Sequence, residues 1–331
     1  MKKTNIKKIA WIGNTFFRTG MDQLGYETIH IPIRGQQVFT WADIVEKSEC
    51  IPDMVVYADR SIAPPLAGVE TFPCLTVFYC IDTHIHSWYP LYAQGFDICL
   101  VSLKDHLDRF TPRLPNSRLL WFPPVVMDND VPLAMEKEWD LLFVGKVDPD
   151  LTPERMIFLD EVAKHVPGLH VTQGEYRKLF PKARVVLNIA ERGDLNFRVF
   201  EALACGSCLL TPYIKHGLSD IFTDGVHLTT YEANNVADLA GKLEMLLASK
   251  ELRDKIAAQG NKLIESSHRI IHRAQTLKNT ILSMDVEKSV SARIEAAPLI
   301  RKNFMRSIYL LWAEAVQDPT LKQKYLESSK N

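Results

Sequence analysis

The stretch Leu187-Asn188-Ile189-Ala190-Glu191-Arg192-Gly193-Asp194-Leu195-Asn196-Phe197-Arg198-Val199-Phe200-Glu201-Ala202-Leu203-Ala204-Cys205-Gly206 carries the deciding pattern. An apolar strand, Arg184 to Ala190, runs into a polar loop, and a helix spans Asn196 to Cys205. The start of a helix presents backbone N–H groups and the positive end of the dipole, a ready site for an anion. Asp194 or Asn196 can cap it. Arg198, in the first turn, adds a cation with bidentate reach for phosphate. Glu201 follows one turn later on roughly the same face. A carboxylate placed there can accept hydrogen bonds from ribose hydroxyls beside bound phosphates. On spacing alone, the same two residues also make an i,i+3 ion pair on a solvated face.

Outward from this point the chain reads as two β/α series. The first has strands at Ile6 to Asn14, Glu27 to Ile33, Asp53 to Ala58, Leu75 to Ile81, Phe96 to Val101 and Arg118 to Phe122, with a helix at Phe16 to Leu24. Runs such as Met54-Val55-Val56-Tyr57 and Leu75-Thr76-Val77-Phe78-Tyr79 are apolar throughout, as strands of a parallel sheet covered on both faces are. Pro123-Pro124, Pro132 and the charged Glu136-Lys137-Glu138 mark a boundary. The second series has strands at Trp139 to Val144, Leu169 to Thr172, Arg184 to Ala190 and Cys208 to Pro212, and a helix at Thr152 to His165. Val236, Leu239, Ala240, Leu243, Leu246 and Leu247 make one apolar helix face, and helices at Glu251 to Glu265 and His268 to Leu282 follow. Ile300, Phe304, Ile308, Leu311, Trp312 and Ala315 form a further stripe. The expected organisation is a first domain over 1–132, a second over 133–283, and a helical tail over 284–331. The tail docks on the protein or offers a face to a second copy or another protein. In doubly wound domains ligands bind beyond the carboxyl ends of the strands, so the cleft between the two is the expected site.

The chain has 331 residues, which at ~150 per domain fits two domains. Hydrophobic residues make up 47% and charged residues 24%, which excludes a disordered chain. Lys and Arg total 39 against 40 Asp and Glu, so no overall positive field draws the protein to nucleic acid. The basic start, Lys2, Lys3, Lys7 and Lys8, is followed by only a short apolar run, unlike a signal peptide. No stretch approaches the ~20 apolar residues that span a bilayer. Six cysteines, including a lone Cys205-Gly-Ser-Cys208 pair, are too sparse for a disulfide scaffold or a zinc site. The protein is expected to be cytoplasmic.

A second polar cluster, Asp82-Thr83-His84-Ile85-His86, closes the Leu75 to Ile81 strand. Asp82 and His84 suit general-base or hydrogen-bonding work at an acceptor hydroxyl. A polar turn or a structural histidine reads equally well, and two histidines with one aspartate are a weak metal signal. Gly13-Asn14 ends the first strand, where close approach of a ligand needs a small residue. Its spacing is not that of a dinucleotide fingerprint. Lys215-His216-Gly217 precedes a short helix and either lines the phosphate pocket or is a plain loop.

Residues 184–278 resemble the C-terminal domain of GT-B glycosyltransferases, in the group that includes spore-maturation glycosyltransferase-like proteins. The likeness rests on Asn196-x-Arg198-x-Phe200-Glu201-Ala202-x-x-x-Gly206, then Leu209-Leu210-Thr211, Gly217-Leu218-x-x-Ile221-Phe222-x-x-Gly225, Asp238-Leu239, and His268 with Arg273. It extends more weakly to residues 139–145 and to Asp82. The resemblance implies an α/β chain of two Rossmann-like doubly wound domains facing a cleft, with an extra C-terminal helical tail. It also implies a nucleotide diphosphate sugar as donor, held mainly by the second domain, and an acceptor of unspecified kind on the first. Glu201 would then hold the ribose and the loop before Asn196 the diphosphate. The full donor set is Gly13, Asn14, Lys146, Asn196, Arg198, Glu201, Lys215 and Gly217, with Asp82 and His84 catalytic. One departure stands out: the retaining branch places a second Glu eight residues before the ribose Glu, and here that position is Gly193, flanked by Asp194. No D-x-D stands beside the phosphate loop, so neither metal nor cofactor is expected. A GT-B epimerase or phosphorylase, or a non-catalytic nucleotide-sugar-binding protein, are the competing readings.

Overall fold

The computed structural model describes residues 6–111, 114–190 and 192–330; Lys2 and Lys3 lie outside them, as does Glu191. The chain divides into two compact units, residues 1–123 with 270–331, and residues 124–269.

The first unit is built on six parallel strands: β1 (Lys8–Gly13), β2 (Glu27–Ile31), β3 (Met54–Ala58), β4 (Leu75–Cys80), β5 (Ile98–Val101) and β6 (Leu119–Trp121), in the order β2-β1-β3-β4-β5-β6. The order reverses between β1 and β3. Every residue of β3 and β4 is buried, the outcome that their unbroken apolar runs predict. Helices α1 (Arg18–Gln23), α2 (Trp41–Ser48) and α3 (Tyr89–Tyr92) accompany the sheet. α2, eight residues long, is not among the expected helices, although Thr40 and Asp43 cap it reciprocally.

The second unit has five parallel strands: β7 (Trp139–Val144), β8 (Leu169–Thr172), β9 (Ala183–Leu187), β10 (Leu209–Pro212) and β11 (Thr229–Tyr231), in the order β11-β10-β9-β7-β8. Here the order reverses between β7 and β9. Its helices are α4 (Pro153–His165), α5 (Tyr176–Leu179), α6 (Phe197–Ala204), α7 (Leu218–Ile221), α8 (Val236–Ala248) and α9 (Lys250–Ser267). On α8, Leu239, Leu243 and Leu246 are buried in the core, with Val236, Ala240 and Leu247 packed against it.

The remaining helices, α10 (Ile270–Ser283), α11 (Val286–Glu295), α12 (Ala297–Ile300), α13 (Arg306–Ala315) and α14 (Pro319–Lys330), belong to the first unit. The expected boundaries at 132/133 and 283/284 are therefore displaced. Residues 124–132 join the second unit, and α10 leaves it, because Gly20 of α1 accepts the backbone of Ile270 against a face where a Cβ would lie 2.8 Å from that carbonyl. The helical tail docks on the protein, the first of its expected outcomes, with Ile300, Met305, Ile308, Tyr309, Ala313 and Tyr325 all buried in the first core. Four of the six residues of the expected stripe face this core: Ile300 and Ile308 are buried, and Phe304 and Trp312 pack against it. Leu311 is 53% exposed, and Ala315 is exposed. A π-helical turn at Arg301–Met305 inserts one residue and rotates the inward face of α13 onto Ile308, Tyr309 and Ala313.

Arg293 locks this segment in place. It is fully buried, its Nε lies 3.0 Å from Asp97 Oδ1, and its remaining nitrogens donate to the carbonyls of Val69, Phe72 and Cys74. A buried guanidinium is tolerable only when it is paired and hydrogen-bonded, and here all three of its nitrogens donate. Among the described residues, no helix is long and apolar enough to cross a membrane.

Candidate active site

In the second unit, the polar residues gather where β7 and β9 end, at the reversal of strand order. Asn188, the first residue after β9, is fully buried. Its Nδ2 donates to Thr211 Oγ1 at 3.0 Å, and its carbonyl accepts from the Tyr231 hydroxyl at 3.0 Å. With its amide so fixed, Asn188 Oδ1 accepts from Arg198 Nη1 at 3.3 Å. The Arg198 guanidinium also lies 4.8 Å from the centre of the Phe143 ring. Gly145 makes room for it: a Cβ at Gly145 would stand 2.7 Å from Arg198 Nη2. Arg198 thus reaches from α6 to the end of β7.

Asn196 occupies the N-cap position of α6 but its side chain does not cap. Its Nδ2 donates back to Ile189 O at 3.2 Å, tying the loop to the end of β9, while its Oδ1 is buried with no hydrogen-bond partner. Glu201 is largely buried, and burial pushes its carboxyl up to about 7. The nearby Asp130 carboxylate adds to the rise, while Arg198, the Tyr176 hydroxyl and Arg177 pull it down. Lys146, after β7, is half exposed and pairs with Asp148 at 3.0 Å. Lys215 is exposed, and Gly217 takes φ +92° to open the four-residue α7.

Three neighbours of Glu201 escaped the sequence reading. Asp130 is fully buried and accepts from Tyr176 Oη at 2.8 Å, Arg177 Nε at 2.6 Å and the Met127 amide at 2.9 Å. Arg177 lies 4.7 Å over the Tyr176 ring. No periodicity marks these residues. Asp130 sits in the boundary segment, and Tyr176 and Arg177 in a one-turn helix behind Gly174.

Gly13 and Asn14 belong to the first unit, and the rest of the expected donor set to the second. Gly13 has φ +96°, and a Cβ there would fall 2.1 Å from Ala58 O. The small residue is thus required by the neighbouring strand's backbone. Asn14 donates from Nδ2 to Asp59 O at 2.6 Å, joining the ends of β1 and β3. Asp59 is the hub of that end. Its buried carboxylate accepts from Tyr89 Oη at 2.5 Å, Ser61 N at 2.8 Å, Ile81 N at 3.1 Å and Asp82 N at 3.3 Å. Burial raises its pKa despite these donors.

Asp82 and His84 follow β4 as expected, in a turn closed by Ile85 and His86 amides on Asp82 O, both at 2.9 Å. His84 Nδ1 is buried without a hydrogen-bond partner. His84 and His86 do not form a metal pair: His86 Nε2 lies 2.7 Å from Ser61 Oγ. Among the described residues, no group of three or more His, Cys, Asp or Glu side chains is placed to hold a metal ion.

Two Rossmann-like units of parallel sheet with flanking helices are the fold of the GT-B glycosyltransferases, and this chain has that fold. Residues 133–279 match the family described as "Glycosyl transferase-like". Among solved structures, a glycosyltransferase from Rickettsia africae superposes with a TM-score of 0.59 at 10% identity, over 85% of this chain and 100% of its own. HepE from Anabaena, solved in complex with UDP-glucose, gives 0.59 at 10% identity over 84% and 100%. A sucrose-phosphate synthase from Thermosynechococcus elongatus gives 0.58 at 9% identity over 82% and 98%. No curated protein matches the sequence. The family match, with the shared fold, supports glycosyl transfer.

Proposed function

We propose that the protein is a glycosyltransferase that moves a sugar from a nucleotide diphosphate sugar to a hydroxyl acceptor. The observation that carries this reading is the Arg198 guanidinium, held by Asn188 and Phe143 over Gly145 where β7 and β9 diverge, with Glu201 one helical turn away. A fixed cation there neutralises charge on the departing diphosphate, and the α6 dipole adds to it. Lys146, Lys215, Gly217 and Asn196 complete the donor side in this reading, and Glu201 receives the ribose hydroxyls. Asp82 and His84 assist the acceptor on the first unit. Charge neutralisation by Arg198 and the helix start makes the reaction independent of metal and of any resident cofactor. The reading places the enzyme in the cytoplasm.

The position eight residues before Glu201 is Gly193, at φ +70°, which offers no carboxylate to sugar hydroxyls. That favours a second reading, a protein that binds nucleotide sugar without turning it over. UDP, the nucleotide carried by the Anabaena relative, is the first probe. Calorimetric titration of UDP, GDP and ADP with chelator present should give binding for at least one. Binding to none removes the donor reading. Binding without hydrolysis of the matching nucleotide sugar, or transfer to any acceptor screened, favours the second reading.

A further inference from the structure

The first unit holds a hydroxyl–imidazole pair at the carboxyl ends of β3 and β4. Ser61 Oγ and His86 Nε2 are 2.7 Å apart, and both side chains keep partial access to solvent. Each is fixed from behind. Ser61 sits at φ +57°, a left-handed backbone that costs a non-glycine residue roughly 1–2 kcal/mol. The Asp59 carboxylate, which accepts the Ser61 amide at 2.8 Å, holds it there. His86 stacks on the Tyr89 ring at 4.8 Å, and the Tyr89 hydroxyl donates to the same Asp59. One buried carboxylate therefore positions both members. A turn needing only left-handed backbone is served best by glycine. Serine in a strained conformation, its hydroxyl delivered to an imidazole, points to use of that hydroxyl.

We propose that Ser61 and His86 form a proton relay for the acceptor hydroxyl, an inference that rests on the glycosyltransferase reading above. The acceptor O–H donates to Ser61 Oγ while the Ser61 O–H donates to His86 Nε2. As the acceptor oxygen bonds to the sugar's anomeric carbon, the bond from that carbon to the diphosphate oxygen breaks and the diphosphate leaves with the electron pair. Ser61 takes the acceptor's proton and passes its own to His86, which ends as imidazolium. Ser61 touches the acceptor; Asp59 and Tyr89 are positioning residues.

The test uses the full chain, with UDP-, GDP- and ADP-glucose as donors and water as acceptor. Ser61→Gly removes the hydroxyl and accepts the left-handed backbone without strain, so stability holds or rises. His86→Phe keeps the stacked ring and removes the base. Each should lower the hydrolysis rate by roughly 10²-fold or more, leaving the dissociation constant of the matching nucleoside diphosphate within twofold of wild type. The double variant should lose no more than the worse single, because the two act as a unit. Undiminished hydrolysis in Ser61→Gly, or losses that multiply in the double variant, overturns the relay and leaves the donor reading standing. Wild-type protein that neither binds nor hydrolyses any of the three overturns both.

Discussion

Arg198 and Asn188 face each other across the loop that joins β9 to α6, Nη1 to Oδ1 at 3.3 Å, with the asparagine amide already committed to Thr211. The guanidinium is held by that contact and by the Phe143 ring. It points to the end of β7, where Gly145 leaves the space it needs. If its partner is a diphosphate, Arg198→Lys removes the planar fork and the contact with Phe143 together. The variant should bind a nucleoside diphosphate about tenfold or more weakly while binding the parent nucleoside nearly as well as wild type. Parallel titrations of UDP and uridine measure the difference.

Glu201→Ala tests the ribose assignment. Hydrogen bonds to a charged group contribute ~1.5–3 kcal/mol, so its loss should weaken nucleotide binding by roughly 10–100-fold. A variant indistinguishable from wild type in calorimetric titration removes Glu201 from the site.

The same carboxyl makes binding sensitive to pH. With its pKa raised to about 7, Glu201 is mostly protonated at pH 6 and mostly ionised at pH 8, and ribose hydroxyls need the ionised form. Affinity should rise by ~10-fold across that interval, and Glu201→Gln should flatten the rise. Stability runs the other way. Between its ordinary value of 4.5 and about 7, the folded chain keeps a proton that the unfolded chain has released, so this group's contribution declines as pH rises through that window. Glu201→Gln should therefore raise the melting temperature more at pH 8 than at pH 5.

Much of this was readable beforehand. Ten of the eleven strands described, the α6 helix and the carboxylate on it follow from apolar runs and one polar loop, whereas the three-residue β11 does not stand out. What escaped depends on contacts distant in sequence. Asp130 meets Tyr176 and Arg177 across 46 and 47 residues, and Ser61 meets His86 across 25. Local periodicity carries no trace of such pairs. Gly13 shows the converse: a small residue after a strand suggests a ligand, but the neighbour it accommodates is Ala58 of the adjacent strand.

Gly13→Ala should therefore harm the fold and spare the chemistry. The positive φ alone costs roughly 1–2 kcal/mol, and the clash with Ala58 O adds to it. A lowered melting temperature with unchanged nucleotide affinity in the folded fraction is the expected result.

Truncation after Ser283 removes Arg293, Tyr309 and Tyr325 from the first core, and leaves Asp97 buried without its guanidinium. An uncompensated buried charge costs about 3–5 kcal/mol. Arg293→Met isolates that part of the loss. Thermal melting should show both variants destabilised, the truncation more so; unchanged melting of the truncated chain would make the segment dispensable.

The first unit is discontinuous, with residues 124–269 encoded between its two parts. On the ribosome this inverts the order of maturation. The second unit emerges as one uninterrupted segment and can reach its native packing as soon as α9 clears the exit tunnel. The six-stranded sheet, synthesised earlier, must wait with part of its apolar face uncovered until α10 to α14 arrive, so the portion translated first is the portion most exposed to chaperones and to aggregation.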